Sequence, residues 1–199
     1  MHGLGDMGMG WAQLFAMQAH SNVRYVFPSA NHMPVTLNMG MDMPSWFDIK
    51  NLSHDDNDRY DKGLSQRSHK LWLAIHDWQK IRVRLAGLNE AATNITEIVD
   101  GILAEENLTR KELILGGFSQ GGALAYHTAF NHFDEIGGLL IMSSWLCDSE
   151  AVLSKYKNGK PLPGPISHHH GDIDPMVPHF MAGTVRSFLL KWDESSRWS

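Results

Sequence analysis

Gly117-Phe118-Ser119-Gln120-Gly121-Gly122 sets a serine between glycines two residues to either side. An apolar run, Leu113 to Leu115, precedes it, and helix-forming residues, Ala123 to Phe130, follow it. Strand, tight turn and helix in that order expose a serine hydroxyl at the tip of a strained turn. Gly117 and Gly121 remove the Cβ atoms that so sharp a reversal would bring into collision. A helix starting behind Ser119 turns its positive end toward any oxyanion formed there, and the Gln120 N–H points the same way. The chemistry this spacing predicts is acyl transfer, with Ser119 as nucleophile and Gln120 as an oxyanion donor.

Two further segments carry groups such a serine needs. Gly171-Asp172-Ile173-Asp174-Pro175-Met176-Val177-Pro178 follows the apolar-to-His run Ile166 to His170. A carboxylate in a loop at a strand end can hold a histidine in the correct tautomer and stabilise its imidazolium. Asp174, fixed by Pro175, is the candidate acid, and Asp172 reads as a turn former. His2-Gly3-Leu4-Gly5-Asp6 with Gly8 formally spells a dinucleotide fingerprint. That reading fails: no strand precedes it, and no Asp or Glu lies between Asp6 and Asp42, where the ribose-binding acid is expected. A His-Gly loop supplying the Leu4 N–H as a second oxyanion donor fits better.

The base is harder to find. His179 lies only five residues beyond Asp174. His168, His169 and His170 are adjacent, not at the i, i+4 spacing of a helical zinc pair, so no metal site is expected. His170 reads as a strand-end residue. His127 and His132 read as residues of the helix behind the nucleophile or its core.

The elements that must position these groups alternate. Helix is expected over 11–20, 88–106, 123–130 and 184–191, and strand over 23–27, 33–37, 113–115, 137–142 and 165–169. The helix over 88–106 has the clearest apolar face, formed by Leu88, Ala91, Ala92, Ile95, Ile98, Val99, Ile102 and Leu103. The pattern predicts one α/β domain over residues 1–199, a mostly parallel sheet with helices on both faces. Two stretches depart from it. Asp48 to Asp61 is an aspartate-rich loop in which Tyr60 spoils a calcium-ligand pattern, so a solvated loop is expected. Leu64 to Gly87 sets Arg67, Lys70, Lys80, Arg82 and Arg84 against the single acid Asp77, beside Trp72 and Trp78. An inserted basic surface segment is expected there, with at most peripheral membrane contact.

Composition excludes several classes. The 199 residues are 43% hydrophobic and 20% charged, so disorder is excluded. A net charge of −5 argues against nucleic acid as partner. No apolar run reaches membrane-spanning length. The N-terminus lacks the pattern of a signal peptide, and the one cysteine, Cys147, fits a reducing compartment. A cytoplasmic location is expected.

His2 to Asp6, Asn38 to Asp48, Gly116 to Gly122 and His170 to Val177-Pro178 together resemble the acyl-protein thioesterase/carboxylesterase (lysophospholipase-type) family of α/β-hydrolases, in order and approximate spacing. The resemblance covers most of the chain outside Leu64 to Gly87. It implies the α/β-hydrolase fold, Ser119 as nucleophile, Asp174 as triad acid, and Leu4 and Gln120 as oxyanion donors. It implies an acylated protein or lipid-like ester as substrate, with no cofactor. It also implies an apolar acyl groove, with Trp145 as a wall of it by position. Three departures stand beside it. The family has a strand immediately before the His-Gly loop, whereas the sequence here begins at Met1. Leu64 to Gly87 is additional. The tail Lys191 to Ser199 shows neither strand nor the family's catalytic histidine, as in a truncated reading frame without the family's first and last strands. The expected activity is serine-dependent hydrolysis of acyl thioesters, carboxylic esters or lysophospholipids. The alternative is a catalytically dead acyl-binding or interaction protein on the same fold.

Overall fold

The computed structural model describes residues 1–51, 82–156, 160–179, 181–183, 185 and 197–198. Helix α1 (Gly8–Ala16) is followed by the antiparallel hairpin β1 (His32–Val35) and β2 (Met41–Pro44). The hairpin turns through Met39 and Gly40, both at positive φ. Strands β3 (Ile49–Asn51) and β4 (Arg82–Val83) form a second antiparallel pair. Helix α2 (Leu85–Glu106) leads into β5 (Ile114–Phe118), α3 (Gln120–His132), β6 (Gly138–Met142), α4 (Ser149–Tyr156) and β7 (Ile166–His169). Strand β8 (Arg197–Trp198) completes a parallel sheet of order β5-β6-β7-β8.

The register matters most for function. Phe118 pairs with Met142, and Met142 with His169. The C-terminal ends of three neighbouring strands are therefore flush, and the loops leaving them share one edge of the sheet, where open α/β sheets carry ligands. On the free edge of β5, the Met1 nitrogen donates to the Gly116 carbonyl (2.8 Å) and Phe118 N–H donates to the Met1 carbonyl (3.1 Å). That is parallel-ladder geometry, and it brings the His2-Gly3-Leu4 loop to the same edge.

Helix α2 forms because Leu88, Ala91, Ala92, Ile95, Val99 and Leu103 recur at helical spacing and bury one face. It starts three residues before the expected Leu88, and it ends at Asn107, whose left-handed conformation (φ 55°) closes the last turn. Helix α2 packs on α3, which packs on β5 and β6. Helix α3 is buried on nearly every face, from Gln120 to Phe130. The core gathers Trp145, Tyr126, Tyr156, Phe47, Phe130 and Phe133 between these layers.

Several expectations are corrected. Val23 to Phe27 makes no ladder: Tyr25 and Phe27 instead pack their rings on Phe15 of α1. Helix α1 begins earlier than Trp11, because Asp6 accepts from both Met7 N–H and the Trp11 indole and organises the first turn. The start of the aspartate-rich loop is strand, and Asp48 is buried with its carboxylate on the Thr36 N–H and hydroxyl. The tail contributes β8, so the sheet continues past β7. Helix α4 was not foreseen. Of the basic stretch 64–87, residues 64–81 lie outside the described residues, as does all but Val185 of the helix expected over 184–191. Among the described residues, no helix is long and apolar enough to cross a membrane.

Candidate active site

Ser119 sits at φ 50°, ψ −118°, a conformation L-residues avoid and that costs about 1–3 kcal/mol. The surrounding packing enforces it. A Cβ on Gly117 would lie 2.2 Å from the Gly121 carbonyl oxygen, and one on Gly121 would lie 2.4 Å from the Met1 carbonyl oxygen. The turn is held by Ser119 N–H donating to Met142, by Gly122 and Ala123 N–H donating to the Ser119 carbonyl, and by the Ser144 hydroxyl donating to that same carbonyl (2.6 Å). Ser119 is half-buried, and its Oγ has no hydrogen-bond partner among the described residues.

The His-Gly loop lies directly against this serine: a Cβ on Gly3 would be 3.5 Å from the Ser119 Cβ. The Leu4 and Gln120 N–H groups are both without a partner among the described residues. The Gln120 side chain, fully buried, ties the elbow to a distant loop. Its amide nitrogen donates to the Ser45 hydroxyl (2.9 Å) and the Phe47 carbonyl (2.7 Å), and its oxygen accepts from Trp46 N–H (3.1 Å). The Trp46 indole donates in turn to the His2 carbonyl (2.9 Å). One side chain thus joins the elbow, the Ser45–Phe47 loop and the His-Gly loop.

Asp174 stands beyond the end of β7. One of its oxygens accepts from Met176 N–H and Val177 N–H, both at 2.9 Å. Partial burial works against its charge, but those two N–H groups, the Ser143 hydroxyl and nearby His170 outweigh it and hold the carboxyl below its usual range. Ser143 touches Asp174 while Ser144, its neighbour, holds the Ser119 carbonyl, so acid and serine face the same edge, joined through two adjacent residues. Asp172 is 92% exposed and stands 3.6 Å from the exposed His179, whereas Asp174 is largely shielded and held by the N–H groups of its own loop.

The histidines separate by environment. His170 Nε2 donates to the Val177 carbonyl (2.8 Å) and stands 3.8 Å from Asp174, so it braces the acid loop. His168 is buried against Tyr126, whose hydroxyl is 2.9 Å from its Nδ1, and burial together with His170, His169 and His179 pushes its pKa down to about 3. His127, bonded to Asn89, is pushed down to about 4, chiefly by burial. His2 is buried between Gly3, Ala30 and Trp46.

The structure therefore brings together Ser119, Leu4, Gln120 and Asp174. It does not bring Trp145 to them as a groove wall: that ring is 1% exposed and belongs to the core. Cys147 is no rival nucleophile, since burial pushes its thiol up to about 12. Sequence reasoning missed the supporting side chains His2, Trp46, Ser143 and Ser144. His2 lies in the His2–Asp6 motif and Trp46 in the Asn38–Asp48 motif, but neither side chain had a role attached.

Comparison with known proteins finds relatives in sequence and in fold. A sequence profile described as Phospholipase/Carboxylesterase matches residues 1–83 and 59–197. Acyl-protein thioesterase 1 of Saccharomyces cerevisiae is 32% identical over 188 residues, covering 89% of this chain and 70% of its own. Acyl-protein thioesterase 1 of Gibberella zeae is 32% identical, covering 96% and 74%. The crystal structure of Arabidopsis thaliana SOBER1 superposes with a TM-score of 0.74 at 26% identity, over 100% of this chain and 84% of that one.

Proposed function

Because the chain belongs to the phospholipase/carboxylesterase family and has its α/β-hydrolase fold, we propose that it is a serine hydrolase cleaving acyl thioesters or carboxylic esters through an acyl-enzyme. The observation that carries this reading is the strained Ser119, packed against the His-Gly loop, with its hydroxyl and the Leu4 and Gln120 N–H groups all without a hydrogen-bond partner among the described residues. Ser119 Oγ attacks the acyl carbonyl carbon and gives up its proton to solvent, from which the leaving group later takes one. The carbonyl oxygen gains the electron pair and is received by the Leu4 and Gln120 N–H groups and by the positive end of α3. Collapse of the tetrahedral species expels the thiolate or alkoxide, which takes a proton, and leaves the acyl group on Ser119. Water then repeats the attack and frees the acid.

Asp174 is the acid of this scheme, its carboxylate kept ionised to orient an imidazolium. The described residues place no histidine on the Ser119 hydroxyl, so the oxyanion donors carry the assigned part of the rate. Such donors sustain roughly 10³- to 10⁴-fold catalysis over water even when a triad is incomplete. The relatives named acyl-protein thioesterase support an acylated protein as substrate, and lipid-like esters share the same acyl group. A cytoplasmic site of action is consistent with a single, buried, unpaired cysteine.

The test is turnover of a long-chain acyl thioester beside a short-chain ester, in the wild type and Ser119→Ala. The expected result is Ser119-dependent release of thiol with preference for the longer chain, since each buried methylene adds about 0.8 kcal/mol of binding. Turnover that survives Ser119→Ala would refute the reading.

A further inference from the structure

We propose that His2 is a positioning residue for the oxyanion donor Leu4: its imidazole fixes the plane of the Gly3–Leu4 peptide and so aims the Leu4 N–H at the reacting carbonyl. The proposal rests on the serine-hydrolase reading above and assigns the site a part that acts through the backbone. The Gly3 carbonyl and the Leu4 N–H belong to one peptide unit. The described residues contain no cis peptide, and in a trans unit the C=O and N–H point in opposite directions. Whatever fixes one end aims the other.

The imidazole fixes the carbonyl end. His2 Nε2 lies 2.9 Å from the Ala30 nitrogen, whose N–H can only donate, so Nε2 carries a lone pair. A neutral ring then has its proton on Nδ1, which lies 2.7 Å from the Gly3 carbonyl oxygen and donates to it. Asp6 N–H reaches the same oxygen at 3.2 Å, so the imidazole is the nearer donor. Donation to a carbonyl also polarises the amide and strengthens its N–H as a donor. The ring cannot swing away. The Trp46 ring packs on it, centroids 4.8 Å apart, and the Trp46 indole holds the His2 carbonyl. Burial favours the neutral ring that this bonding pattern needs.

Two variants separate the two nitrogens: an Asn amide nitrogen occupies the place of Nδ1, and a Gln amide the place of Nε2. Affinity is measured for an alkyl trifluoromethyl ketone, which forms an oxyanion on adding the serine, and for the alkyl amide of equal length, which forms none. His2→Asn is expected to keep ketone affinity within about threefold, and His2→Gln to lose about 10- to 100-fold, below the cost of deleting an oxyanion donor outright. Amide affinity should be unchanged in both. Equal ketone losses in the two variants, or equal losses of ketone and amide, overturn the proposal. Should the wild type bind the ketone no better than Ser119→Ala does, the hydrolase reading falls, and the positioning role with it. A readout independent of any variant's folding is the 15N–1H spectrum of the wild-type ring. It must show the proton on Nδ1 of His2, and a proton on Nε2 instead overturns the proposal.

Discussion

The Ser119 backbone is bent into a conformation that only its neighbours' lack of side chains permits. Gly121→Ala would drive a methyl group onto the Met1 and His2 carbonyls, 2.4 and 2.5 Å away. It should cost about 3 kcal/mol or more, at or beyond the upper end of ordinary overpacking, because backbone atoms cannot rotate aside. Gly101→Ala in α2 meets nothing within 4 Å and should stabilise by about 0.5–1 kcal/mol. Urea unfolding of the two variants checks both, and similar effects would contradict the packing account. Residues of this kind were legible in advance because the elbow is local: glycine, serine and glycine lie within five positions. The turn that carries Asp174 was legible for the same reason, through Pro175. His2 and Trp46 were not, since their partners Ala30 and Gln120 lie 28 and 74 residues away in the chain. Trp145 was misplaced because position after a strand does not say which way a ring faces.

Among the elements, α2 was readable from its apolar period, and the structure sharpens it. Ile95 and Ile98 are the same residue type on one helix, but Ile95 is 3% exposed and Ile98 41%. Ile95→Ala should therefore cost about 2–5 kcal/mol, and Ile98→Ala about 0.5 kcal/mol or less, as surface substitutions do. Thermal or urea unfolding decides it, and equal costs would place the helix in the wrong rotation. Val23 to Phe27 has strand composition without a strand's neighbour. β-propensity reports fit to a half-buried pleat, and there the rings found α1 instead. The two-residue strand β8 offers too short a pattern to be recognised from periodicity.

At the scale of the molecule, burial of neutral imidazoles couples folding to pH. His168 and His127 titrate near 3 and 4 in the folded chain, against about 6.5 unfolded. Between those values the unfolded state binds more protons, so their contribution is complete above pH 6.5 and is lost as the pH falls toward 4. Unfolding midpoints measured from pH 7.5 to 4.5 should fall steadily, and His168→Gln should flatten the slope. A wild-type midpoint independent of pH in that window would contradict the burial described. The flush ends of β5, β6 and β7 are what join elbow, His-Gly loop and acid loop into one site, and no single motif in the sequence states that register.

The most direct test of the whole account is reaction of the intact protein with an alkyl fluorophosphonate, followed by mass-spectrometric mapping of the adduct. The account predicts one phosphonylated residue, Ser119, with no labelling of Ser119→Ala. A folded protein that takes up no reagent, or that carries it on another residue, would contradict the central claim.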